Sequence, residues 1–174
     1  MRTKSASDNI ATLLTLLDRL ERRHGELYGV IRDKIDRMRA SDVDGMRYCI
    51  ERESELVNEI TEQEGLRRQL MMRIGQELGV ASHTARAMNL RELARRVEEP
   101  RRGELIEMAN RLRTTVANVA QGNRVAGLIA RETLRHFRHV FSAITSTDGG
   151  RADGYTQGGE RQSVSQRQLL DAVG

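Results

Sequence analysis

The sequence predicts an all-α protein: an elongated up-down-up bundle of three long helices, antiparallel and coiled-coil-like, with a short connector helix and a flexible C-terminal tail. Two observations carry this prediction. Apolar residues recur alternately every three and four positions over long stretches, the period of a helix face that packs on another helix. Aromatics make up 3% of the 174 residues, with no Trp and one Pro. That is too few large side chains to fill a sheet-containing core, but a narrow helical seam needs fewer.

The first helix is expected over residues 8–40, with Ser7 or Asp8 as its cap. Its seam runs through Ile10, Leu13, Leu17, Leu20, His24, Leu27, Ile31, Lys34 and Met38, so His24 and Lys34 are the two polar intruders. His24 reads as a satisfied polar group in the seam. Ala40-Ser41-Asp42-Val43-Asp44 reads as a tight connection followed by a fresh cap at Ser41 or Asp42, with acidic residues suited to a helix N-terminus. The second helix follows over 43–78. Its expected stripe is Met46, Ile50, Val57, Ile60, Met71, Ile74 and Leu78, interrupted by Glu53, Glu64 and Arg67, and Gly79 is placed to end it.

Residues 80–99 read as a connector with one short helix over 90–97. Asn89 and Glu92 have capping-box spacing, and Leu90, Leu93, Ala94 and Val97 form a small apolar face. Pro100 suits a helix first turn and opens the third helix, 101–145. One set of core positions there is Ala109, Val116, Asn123, Ala130, Phe137 and Ile144; the other is Leu105, Leu112, Val119, Ala126, Thr133 and Val140. Asn123 reads as a register device within this seam. Residues 1–145 thus form the bundle. Residues 146–174, with six glycines and many Ser, Gln and Arg, form a mostly disordered tail, in which Val164, Leu169, Leu170 and Val173 mark a short segment that orders only on a partner.

Charge and cysteine content narrow the function. The net charge is +4, but an acidic stretch at 41–79 lies between basic ones, as expected for a helix that packs between two others rather than for a nucleic-acid surface. The lone Cys49 forms no internal disulfide or metal cluster, which fits a reducing compartment. No apolar run approaches the ~18 residues that span a bilayer. The stretch Ile10–Leu17 lacks a cleavage site and is followed by Asp18, Arg19 and Glu21, so a cytoplasmic protein without membrane insertion is expected.

No catalytic or metal-binding constellation stands out in the sequence. Glu132, His136 and His139 lie within two turns of one helix, but the heptad phase puts Glu132 and His139 on its outer face and His136 beside the seam. The paired glycines Gly149-Gly150 and Gly158-Gly159 open no helix after a strand and read as linker rather than phosphate loop. The expectation is a protein that binds other proteins, with no enzymatic activity, no cofactor and no metal.

The order and spacing of several features carry a resemblance. They are the Leu-rich first helix, the break at Ala40–Asp44, and the glutamates Glu51, Glu53 and Glu55 early in the second helix. The connector Leu90-Arg91-Glu92-Leu93-Ala94, the Asn123-Arg124 step and the tail segment Tyr155-Thr156-Gln157-Gly158-Gly159 complete the set. Together they resemble the FlgN family of flagellar type III export chaperones over nearly the whole chain. The resemblance implies a cytoplasmic chaperone without ATPase activity that binds hook-associated proteins, keeps them unassembled and escorts them to the export gate. The competing expectation is a structural coiled-coil adaptor, which would self-associate permanently where a chaperone would be a monomer or weak dimer.

The residues that would touch the client come from the pattern rather than the family. Leu134, Phe137, Val140, Phe141 and Ile144 gather the only two phenylalanines of the chain at the end of the third helix. If they overhang the bundle they suit an amphipathic client segment; otherwise both rings pack on Met38, Val43 and Met46. Tyr155 in the tail is the candidate contact to the flagellar export apparatus.

Overall fold

A computed structural model describes the backbone of residues 2–148 and the side chains of residues 6–145. The leucine seam is the packed face of the first helix, α1 (Arg2–Ala40). Leu13, Leu17, Leu20 and Ile31 are wholly buried, and Ile10 and Leu27 nearly so. The helix starts six residues before the expected position. Ser7 and Asp8 lie inside it and do not cap it: Thr12 Oγ1 donates to the Asp8 carbonyl, and Ala6 is already buried.

The break after α1 is one hydrogen-bonded unit. Ser41 adopts a left-handed conformation (φ 56°), Ser41 N donates to the Met38 carbonyl, and Asp42 N donates to that of Arg37. This is the glycine-type helix ending built on a serine. The Asp42 carboxylate then caps α2 (Val43–Glu77) by accepting from Gly45 N at 2.9 Å, and it also takes Arg37 Nη1 at 2.8 Å. The Gly45 amide, and after it the Arg37 guanidinium, hold the Asp42 carboxyl below its ordinary pKa. Gly45 is needed here, since a Cβ would run into the Asp42 carboxylate.

Along α2 the buried residues are Cys49, Leu56, Ile60, Met71, Ile74 and Gly75. This corrects the first half of the expected stripe: Ile50 and Val57 are exposed, and their neighbours Cys49 and Leu56 face inward. Cross-helix contacts join Asn9 to Glu77, Arg23 to Glu59 and Lys34 to Glu53, so numbering rises along α1 as it falls along α2. Two interruptions in the seams are therefore partners, the half-buried Lys34 and Glu53. His24 is different. Its Nδ1 is buried without a hydrogen-bond partner, as is Gln63 Oε1, so it is not the satisfied seam group expected from the sequence. Burial pushes the His24 pKa down, partly offset by the charge of Glu64. At its far end α2 closes on Gly79 (φ 79°), with Val80 N donating to the Gly75 carbonyl.

The connector contains two short helices, not one. The additional one, α3 (Ser82–Ala87), settles on α2 where Gly75 leaves room: a Cβ there would lie 2.7 Å from that of Ala85. The expected one, α4 (Leu90–Ala94), has the full capping box, Glu92 N to Asn89 Oδ1 and Asn89 N to Glu92 Oε2. It stops at Ala94 and residues 95–97 continue as a tight turn, while Leu93, Ala94 and Val97 are buried as the pattern required.

The last helix, α5, spans Arg101–Asp148. Leu105 and Ala126 are buried and Leu112 and Val119 pack against the core, as expected for one of the two position sets. The other set shifts by one residue. Met108 and Gly122 face inward, whereas Val116 and Asn123 are exposed, so Asn123 is not a register device in the seam. Gly122 marks a close approach to α1, since a Cβ there would sit 2.8 Å from Ile31 Cγ2. Glu21 accepts from Arg111 and from Thr115 while Gly122 lies against Ile31, so numbering rises together along these two helices.

The chain divides into two units at Ala130 and Arg131, and all the packing above belongs to the first. Long helices packed together make an all-α bundle, with no strand among the described residues and no described helix long and apolar enough to cross a membrane. Residues 149–174, which include Tyr155, Val164, Leu169, Leu170 and Val173, lie outside the described residues.

Candidate interaction surface

The second unit is described from Arg131 to Asp148, all of it α5. Every side chain from Arg131 to Thr145 is exposed. Among them Leu134, Phe137, Phe141 and Ile144 repeat the three-four-three spacing of Ile10, Leu13, Leu17 and Leu20. Helix geometry places such residues on one face. Phe137 is 64% exposed, Phe141 70% and Ile144 62%, with Leu134 at 57% and Val140 at 43% beside them. Contiguous exposed apolar residues of this kind are a common feature of interaction sites.

The remaining faces of this segment are polar and mostly basic. Arg135 is held by Glu132 in an ion pair one turn away. Arg131 and Arg138 have no ion-pair partner among the described residues. Ser142 and Thr145 turn their hydroxyls back to the carbonyls of His139 and Phe141, so they add little polarity to the surface. Glu132 thus faces a guanidinium rather than His136 or His139, and no three metal-ligating side chains converge among the described residues.

Two features of the first unit escaped the sequence reading. An open groove between α1 and α2 is lined by Leu16, Leu66 and Leu70, with Arg19 and Arg73 at its edges. A second, smaller one places Asn123 beside Met38, Met46 and Ile50. The signal was present in Leu16 and Leu66, apolar residues that fit no seam. Cys49 lines neither groove; it is buried, and that burial pushes its thiol pKa up.

The described residues form helices with short connections and expose a coiled-coil-type seam, an arrangement through which helical proteins can bind a partner helix. Comparison with known proteins narrows the class. Residues 1–163 match the family described as FlgN protein, and the chain belongs to the FlgN family. Membership supports a flagellar export chaperone that binds flagellar proteins. No curated protein and no solved structure matches the chain.

Proposed function

We propose that the protein is a cytoplasmic chaperone for hook-associated proteins, holding them unassembled and delivering them to the flagellar export gate. The observation that carries this reading is the exposed seam Leu134, Phe137, Val140, Phe141 and Ile144 in a member of the FlgN family. In the first unit an up-down-up bundle, supported by the opposed numbering of α1 with α2 and the parallel numbering of α1 with α5, acts as a rigid base. The seam docks an amphipathic segment of the client. Fully covering a Phe or Leu side chain is worth about 1.5–3 kcal/mol before the cost of ordering, so the two rings are its natural anchors.

The function uses no catalysis, metal or cofactor, and neither nucleic acid nor membrane insertion. When free, the chain is a monomer or weak dimer. Tyr155, in the segment after α5, carries the contact to the export apparatus.

The test is calorimetric titration with hook-associated proteins. Phe137→Ala with Phe141→Ala should weaken binding at least about tenfold while circular dichroism stays unchanged. Unchanged affinity in a folded double variant would rule out the seam as the client site. A chain ending at Ser146 that still supports export in full would remove the role of Tyr155. A permanent long dimer that ignores hook-associated proteins would favour a structural adaptor.

A further inference from the structure

The flanks of the exposed seam define the chemistry of its occupant. With Leu134 and Phe141 in one core position of the heptad and Phe137 and Ile144 in the other, the flanking positions follow. Arg131 and Arg138 fall on one flank, seven residues and about 10 Å apart, and both are exposed without an ion-pair partner among the described residues. Thr133 and Val140 fall on the other. One edge of the seam is therefore positively charged and the other uncharged.

This asymmetry discriminates among occupants. In a coiled coil the flanking rows of the two helices meet, and charge pairs there select partner and orientation. A second copy of this chain fits badly. Side by side in antiparallel fashion, the arginine rows would face each other. In parallel, they would face Thr133 and Val140, leaving no charge paired. A lipid surface requires a broad apolar face, whereas this one is as narrow as a coiled-coil seam. Only a helix with carboxylates along one flank completes both the apolar stripe and the charge row.

We propose that the seam of α5 selects an amphipathic helix of another protein that carries Asp or Glu at seven-residue spacing along the edge facing Arg131 and Arg138. This rests on the reading of the seam as a client site and adds the rule by which a client is chosen. The apolar stripe supplies the affinity. The two arginines reject helices with neutral or basic flanks and fix the orientation of the one that binds.

The experiment uses the full chain and synthetic helical peptides with one common leucine stripe, flanked at seven-residue spacing by Glu, Gln or Lys. Fluorescence anisotropy at low salt should rank them Glu, Gln, Lys, with about tenfold between first and last, since exposed charge pairs are individually weak and screened. Arg131→Glu with Arg138→Glu should invert the ranking and leave the melting curve unchanged. Phe137→Ala with Phe141→Ala should abolish binding of all three. Equal binding of Glu and Lys peptides, no binding of the Glu peptide, or a ranking that survives the charge reversal would each overturn the proposal. So would tighter binding to phosphatidylglycerol vesicles than to the Glu peptide. The peptides are not hook-associated proteins, so the charge rule and the identity of the client fail separately.

Discussion

Two stretches of this chain carry the same pattern and meet opposite fates. Ile10, Leu13, Leu17 and Leu20 repeat at three, four and three residues and are buried to within 3% of full coverage. Leu134, Phe137, Phe141 and Ile144 repeat at the same intervals and are all more than half exposed. Periodicity states that a helix has an apolar face. It does not state whether the partner for that face lies in the same chain. In the first unit that face shares one core with Leu56, Ile60, Met71 and Ile74 of α2 and Leu105 and Met108 of α5. For the second seam the described residues include no cover, and the cover proposed above is a client protein.

The comparison is broken most forcefully in the packed seam. Leu17→Ala or Leu20→Ala should cost about 2–5 kcal/mol, because each removes a wholly buried side chain and leaves a cavity. Urea denaturation of each variant measures this, and wild-type midpoints would mean the seam is not the core. A smaller effect is expected from Gly122→Ala, about 1–3 kcal/mol of destabilisation, because the new Cβ meets Ile31, a β-branched side chain with no exposed area and little room to turn. Gly29→Ala on α1 is its control. Nothing lies within 4 Å of a Cβ there, so it should instead stabilise by about 0.5–1 kcal/mol.

His24 sharpens the same contrast from within the packed seam. Its buried Nδ1 has no partner and its pKa is lowered by desolvation. A histidine whose folded pKa lies below its unfolded value of about 6.5 leaves stability intact above that pH and removes it as pH falls through the folded value. His24→Leu should therefore raise the melting temperature at neutral pH, by about 1 kcal/mol in stability, and flatten the decline on acidification below about pH 6.5. A decline as steep as in the wild type would place the acid-sensitive group elsewhere. The smallest effect belongs to the open seam. Phe137→Ala with Phe141→Ala should change the unfolding free energy by less than about 0.5 kcal/mol per site, as exposed substitutions do. A loss comparable to that of Leu17→Ala would show that these rings are covered within the chain.

How much of this was legible in the sequence depended on how clearly one position outbid its neighbours. In α1 the alternating spacing holds over nine consecutive seam positions, so the buried face was legible even though Leu14 follows Leu13 and Leu16 precedes Leu17; the unsatisfied state of His24 was not. In α2, Ile50 follows Cys49 and Val57 follows Leu56, so either of two adjacent apolar residues fitted the period and the β-branched one was chosen wrongly. In α5 the inward positions include Met108, Thr115 and Gly122, while Val116 imitates a core residue one place away. A glycine contributes nothing to a hydrophobic pattern, yet a Cβ at Gly122 or Gly75 would collide with a neighbouring helix. The same blindness hid α3, whose docking on α2 depends on Ala85 against Gly75 rather than on a stripe. The capping signals fared better, because Asn89 with Glu92 and Asp42 with Gly45 act through local hydrogen bonds that the sequence spells out. The five candidate client residues were legible as a cluster. Their exposure was not, since it depends on where the other helices end.

The most direct test of the contrast between the two seams is amide hydrogen exchange on the chain alone and saturated with a hook-associated protein. The account predicts slow exchange over residues 10–31 in both states and new protection over residues 131–145 only with the client bound. Client-induced protection confined to the groove of Leu16, Leu66 and Leu70, with 131–145 unchanged, would contradict it.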